Sequence, residues 1–85
     1  MAKIIRTDGT ETPISPKNGI DFSLEELQKI VGGPIEILHT PCSGEIIVIN
    51  EEGKCEGLPV NWDATAMFGW PLVGSVLVCD AKEVK

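Results

Sequence analysis

Residues 22–34 read FSLEELQKIVGGP and contain the strongest structural signal of the chain. Ser23 is a good N-cap, and Glu26 three residues later completes a capping box. The helix predicted over 24–31 ends at the Gly-Gly-Pro that follows it. Its predicted apolar face consists of Leu24, Leu27, Ile30 and Val31. We expect this amphipathic helix to lie on a sheet.

The segments on either side of this helix have the composition of strands. Residues 2–6 and 11–15 are predicted to form a hairpin around an Asp-Gly turn. The other predicted elements are strands at 35–39, 45–50, 54–58 and 73–79 and a short second helix at 62–68. This order predicts an α+β fold, with a mostly antiparallel sheet of five or six strands, one amphipathic helix and one short helix. We expect a single domain over residues 1–80 and a polar C-terminal tail over 81–85.

The predicted strand at 45–50 is apolar on both faces, because it contains four consecutive aliphatic residues, Ile46-Ile47-Val48-Ile49. Such a strand is either central and covered on both sides, or half of it faces a partner subunit. Only one good helix is apparent in the sequence to cover the sheet. We therefore expect a homodimer, which would also extend the small core of an 85-residue chain.

Composition and charge disfavour several classes of partner. The net charge of −6 argues against binding to nucleic acid, which needs a basic patch, and against binding to an anionic membrane surface. No apolar run approaches the roughly 20 residues of a membrane span. The three cysteines form no C-x-x-C pair, and we interpret them as reduced thiols of a cytoplasmic protein.

The sequence offers little for catalysis or metal binding. The only histidine, His39, lies three residues from Cys42, but no third group is apparent that would orient the pair. His39, Cys42, Cys55 and Cys79 are residue types that bind zinc. However, the strand at 45–50 would separate Cys42 from Cys55 by roughly 15–20 Å. We therefore expect no metal, no cofactor and no enzymatic activity.

Two tryptophans, Trp62 and Trp70, follow a Gly-Leu-Pro stretch that restricts the backbone. They either belong to the core or form a contact surface, since tryptophan is enriched at binding hot spots. Asn61 either caps the second helix or offers its amide to a ligand. The candidate binding residues are Gly57, Leu58, Pro59, Asn61, Trp62 and Trp70.

The stretch Gly57-Leu58-Pro59-Val60-Asn61, with Val73-Gly74 after it, resembles the family called domain of unknown function 3846. The opening Ile5-Arg6-Thr7-Asp8-Gly9 and the helix over 24–31 are also similar to that family, so the likeness covers nearly the whole chain. The resemblance implies a bacterial or phage accessory protein and no particular activity. The cysteine-containing loop at 41–44 and the two tryptophans depart from the family pattern.

Three classes of function remain open at this point. The first is a non-enzymatic module of phage or mobile-element type that binds a host protein. The second is a protein that binds or sequesters a small molecule in a pocket near residues 57–62. The third is a small hydrolase, which we rank last because no catalytic constellation is apparent.

Overall fold

The computed structural model describes residues 2–39, 44–53, 55–69 and 71–84, which form an antiparallel sheet with a helix on each face. The strands are β1 (Ala2–Ile5), β2 (Glu11–Ile14), β3 (Ile35–His39), β4 (Glu45–Asn50) and β5 (Val76–Asp80). The helices are α1 (Leu24–Val31) and α2 (Trp62–Phe68). The five strands have the order β2-β1-β5-β4-β3. The predicted α+β class, the antiparallel sheet and both helices are thus confirmed.

Helix α1 begins and ends where its capping residues predict. The Ser23 hydroxyl accepts a hydrogen bond from the Glu26 backbone N–H (3.2 Å), and the Glu26 carboxylate accepts one from the Ser23 N–H (2.9 Å). At the other end, Gly32 takes the left-handed conformation, with φ of 81°, which a side chain would disfavour. Leu27 and Val31 are buried beneath the helix, in one cluster with Phe22.

Strand β4 is covered on both faces within one chain. Ile46 and Val48 belong to the apolar cluster under α1, whereas Ile47 packs on the opposite face with Ala64 of α2. Ile46, Ile47 and Val48 are all buried. The premise that only one helix covers the sheet was therefore wrong, because α2 covers the second face. Strand β4 therefore no longer supports the homodimer, which stays a prediction.

Three expectations from the sequence differ from the structure. The predicted strand at 54–58 is absent from the described residues there, which form turns in which the Leu58 N–H donates to the Gly53 carbonyl (3.0 Å). The last strand begins at Val76 rather than Val73, because Gly74 adopts a φ of 73° that interrupts the extended backbone. Leu24 is 57% exposed and so lies outside the core face of α1.

The C-terminal residues are docked on the domain. Residues Ala81–Glu83 form a 3-10 turn, and Val84 forms a parallel bridge with Phe22. The Phe22 N–H donates to the Glu83 carbonyl at 2.7 Å. Residues 81–84 therefore pack against the segment that precedes α1, whereas the sequence suggested a polar tail.

The two helices have eight and seven residues. In the described ranges, neither has the length and apolar character required to cross a membrane.

Candidate functional site

The segment over residues 57–68 is built around the side chain of Asn61, which is fully buried. Its Oδ1 accepts a hydrogen bond from the Ala64 N–H (3.1 Å) and so caps α2. Its Nδ2 donates to the carbonyl of Ile5 on β1 (2.8 Å) and to the carbonyl of Gly74 (2.9 Å). The amide is thus fully engaged in joining α2 to the sheet, which is the capping role rather than the ligand role.

The loop before Asn61 is fixed to the chain segment before β5. The Gly74 N–H donates to the Pro59 carbonyl (2.9 Å), and the Asn61 N–H donates to the Leu72 carbonyl (2.8 Å). Between them, Val60 and Val73 form an antiparallel bridge. These three interactions hold the loop as a short strand-like ribbon rather than a free loop.

Leu58 fills a space that two glycines leave open. A Cβ atom added to Gly74 would lie 2.9 Å from the Leu58 Cδ1, and one added to Gly53 would lie 3.3 Å from the same atom. Both distances are shorter than an ordinary carbon–carbon contact of about 3.5–4.0 Å. Leu58 therefore has a packing role, and the Gly-Leu-Pro-x-Asn stretch is explained largely by the fold.

The outer face of α2 is formed by Trp62, Asp63, Ala66 and Met67, all of which are exposed. Trp62 is 71% exposed, which excludes the interpretation that its side chain belongs to the core. Gly57 and Pro59 are also exposed beside the start of the helix. We call Gly57, Pro59, Trp62 and Met67 the Trp62 surface. Trp70 lies outside the described residues, so its place relative to this surface stays a prediction.

The histidine and the two cysteines that the structure describes lie in different elements of the fold. His39 is exposed at the end of β3, and Cys55 is exposed in a turn. Burial, followed by the nearby carboxylates of Glu83 and Asp80, raises the pKa of the Cys79 thiol to about 12, so its nucleophilic thiolate is scarce at neutral pH. Cys42 lies outside the described residues. Within the part of the chain that the structure describes, no three His, Cys, Asp or Glu side chains are grouped to hold a metal ion.

The sequence did not indicate a second feature, an apolar groove beside strand β3. It is lined by Phe22, Ser23, Leu24, Leu27, Ile35, Ile37 and Val84 and has a volume of about 290 Å³. Helical periodicity assigned Leu24 to the core, and β3 was not predicted to be an edge strand. Only the strand order, which no local pattern gives, shows that β3 has an open side.

Comparison with known families gives one match. The family model for the domain of unknown function (DUF3846) matches residues 2–85. No curated protein and no solved structure matches. The match covers essentially the whole chain and includes the Gly-Leu-Pro-x-Asn stretch described above. The chain therefore belongs to the DUF3846 family.

Proposed function

We propose that this protein is a non-enzymatic module that binds another protein through the Trp62 surface. The observation that supports the proposal is the 71% exposure of Trp62 on the first turn of α2. Exposed tryptophan leaves a large apolar area in water, and tryptophan is among the residues that dominate binding energy when a partner covers them. Met67 adds a flexible apolar side chain on the same outer face.

The hydrogen bonds that fix the backbone next to Trp62 favour this role. Asn61, its neighbour, is held by three hydrogen bonds, two of them to carbonyls of Ile5 and Gly74. A contact residue on a fixed backbone loses less conformational entropy on binding than one on a mobile loop. The backbone position of Trp62 is thus set before a partner arrives.

The proposed biological setting rests on the resemblance to the family. The likeness implies an accessory protein of a phage or mobile element, and we propose a host protein as the partner, met in the bacterial cytoplasm. The negative net charge supports a protein partner over a nucleic acid, because phosphate groups would be repelled.

The small-molecule alternative would require a pocket near residues 57–62. One depression of about 280 Å³ is lined by Leu72 and Val73, and Val73 pairs with Val60, but residues 57–62 do not line it. The hydrolase alternative likewise gains no supporting observation from Cys79, whose thiol is buried. We therefore develop the protein-binding proposal.

A capture experiment with two matched variants tests the proposal. Wild-type protein, Trp62→Ala and Ile20→Ala are immobilised, and proteins captured from a bacterial lysate are quantified by mass spectrometry. Ile20 is the control because it is 74% exposed in the loop before α1, away from α2. The captured partner is then purified and titrated against each variant.

Trp62→Ala should weaken binding about thirtyfold or more, as expected for a hot-spot residue, while Ile20→Ala leaves it unchanged. Both variants should melt close to the wild type, since both side chains are exposed. A partner that binds wild type and Trp62→Ala equally well would refute the proposal. So would a large loss of stability in Trp62→Ala, because it would mean that this side chain supports the fold.

A further inference from the structure

Strand β3 is an edge strand, since it pairs only with β4 in the described part of the sheet. The Glu51 N–H donates to the Pro34 carbonyl (2.8 Å), and Pro34 stands opposite Glu51 in the continued register of this pair. Hydrogen-bonded and non-hydrogen-bonded pairs alternate along antiparallel strands. The N–H and C=O groups of Ile35, Ile37 and His39 therefore point away from β4, toward the open side.

The opposite edge of the sheet is protected, whereas β3 is not. Strand β2 contains Pro13, which lacks a backbone donor, and Glu11, which forms an ion pair with Lys3 (2.9 Å). Proline and charged side chains are common means of preventing strand addition at an edge. Strand β3 reads Ile-Glu-Ile-Leu-His and contains no proline; its one carboxylate, Glu36, repels acidic strands but attracts basic ones. Its open backbone groups are thus available to another strand.

On the α1 side of β3, the groove of about 290 Å³ has an almost wholly apolar lining. Ile37 is 36% exposed and Leu24 is 57% exposed, and both line it. Ile35 and Ile37 lie on the same face of the strand as this groove, because residues of a strand alternate between faces. A strand added to β3 would place every second side chain over it.

On the other side of β3, the surface is acidic. Glu36 and Glu51 line the same depression, together with Leu38, Ile49 and Leu72. Among residues 2–39, 44–53, 55–69 and 71–84, neither carboxylate forms an ion pair or a side-chain hydrogen bond. An added strand would therefore face carboxylates with its alternate side chains, and basic residues complement them.

We propose that β3 binds an extended segment of a partner protein as a sixth strand, with apolar side chains in the α1 groove and Lys or Arg side chains facing Glu36 and Glu51. Main-chain hydrogen bonds supply the affinity in strand addition, and the alternate side chains supply the specificity. This site goes beyond the Trp62 surface and does not depend on it.

A second copy of the chain fits this edge less well. Antiparallel pairing of two β3 strands about Ile37 places Glu36 of one copy diagonally across from Glu36 of the other, roughly 7–8 Å away. Each copy also has a net charge of −6. Repulsion between the two Glu36 carboxylates and between the two negatively charged copies favours a basic strand as the occupant.

The probe is a capped nine-residue peptide of alternating lysine and valine, titrated against the whole protein by NMR and calorimetry. One control peptide has the same composition with the valines and lysines in separate blocks, and another alternates glutamate and valine. The protein variants are Ile37→Lys and Glu36→Lys, with Ile20→Lys as the matched control, because Ile20 is 74% exposed and lines neither the groove nor the acidic depression. Melting temperatures confirm that each variant is folded.

Saturable binding of the alternating Lys-Val peptide is expected, with at least a tenfold loss in Ile37→Lys and Glu36→Lys and no change in Ile20→Lys. Hydrogen exchange gives a second readout on the wild-type protein. The amides of Ile35, Ile37 and His39 should gain protection with the peptide, while those of Glu36 and Leu38 are protected already.

Absence of binding, equal binding of the control peptides, or binding that both β3 variants retain would each overturn the proposal. A protein that is dimeric, becomes monomeric in Ile37→Lys and does not bind the peptide would show that a second copy occupies the edge, and this also overturns it. Loss of host-protein capture in Trp62→Ala does not bear on these outcomes, so the two proposals fail separately.

Discussion

Replacement of Asn61 by alanine is expected to destabilise the protein more than any substitution on the surface of α2. The change removes the cap of α2 and the two hydrogen bonds to the carbonyls of Ile5 and Gly74. The carbonyl oxygens of Ile5 and Gly74 and the N–H of Ala64 then lack these partners in the interior. Alanine offers no polar atom to replace them.

The magnitude follows from these three groups. The Ile5 carbonyl keeps its strand pairing with Val76, so two groups are left without a partner. A buried polar group in that state costs about 1–3 kcal/mol, so Asn61→Ala should cost at least about 2 kcal/mol. An 85-residue domain has a free energy of unfolding of about 4–13 kcal/mol at typical values per residue. For a domain of this size, 1 kcal/mol lowers the melting temperature by about 4–8 °C. The expected drop is therefore about 8–16 °C or more.

Thermal and urea unfolding, followed by far-UV circular dichroism, measures this drop. Trp62→Ala is the control, because it alters the next residue of the chain without removing a buried contact. Asn61→Asp provides a second comparison: it keeps the capping oxygen but turns a carboxylate toward two carbonyls, so it should be at least as destabilising as alanine. If Asn61→Ala melts within about 4 °C of wild type, the role assigned to this amide is wrong.

Four further expectations concern chemistry and association. In a Cys42→Ser variant, Cys55 should react with a thiol reagent in the native state, and Cys79 should react only on unfolding. Because the pKa of Cys79 is raised from 9.0 to about 12, its stabilising contribution should be lost as the pH rises from 9 toward 12. The backbone N–H of Ser23, followed by that of Lys17, lowers the pKa of Glu26 from 4.5, so the stability of the protein should fall as the pH drops below that value. The fall should be less steep in Glu26→Gln, and urea midpoints measured across this pH range test both expectations. Gel-shift assays at low salt should show no micromolar binding of DNA or RNA. Light scattering tests the homodimer, and a monomer mass at micromolar concentration would contradict it.

Local patterns predicted the elements of the fold well. The capping box and Gly32 gave the bounds of α1, and Asn61 with Gly69 gave those of α2, because these caps act within a few residues. The bounds of β3 and β4 were also predicted as they are observed. Each of these signals depends on neighbours in the chain, which a sequence contains.

Features that depend on distant residues were not predicted. Asn61 bonds to Ile5, which is 56 positions away, so the sequence left its amide as either a cap or a ligand contact. The cover that α2 gives to Ile47 and the open edge of β3 follow from the strand order and from the face on which each helix packs. Of the candidate binding residues, Trp62 is exposed and stays a prediction as a contact residue, while Asn61 and Leu58 have structural roles.

Asn61 and Trp62 are adjacent, yet the fold depends on the side chain of Asn61 and not on that of Trp62. The Gly-Leu-Pro-x-Asn stretch carries the family likeness, and the structure explains Leu58 by its packing on Gly53 and Gly74 and Asn61 by its hydrogen bonds. Trp62, by contrast, is exposed, so the fold does not require its side chain. The specificity of this protein is thus best sought in residues outside the shared stretch, at Trp62 and along the open edge of β3.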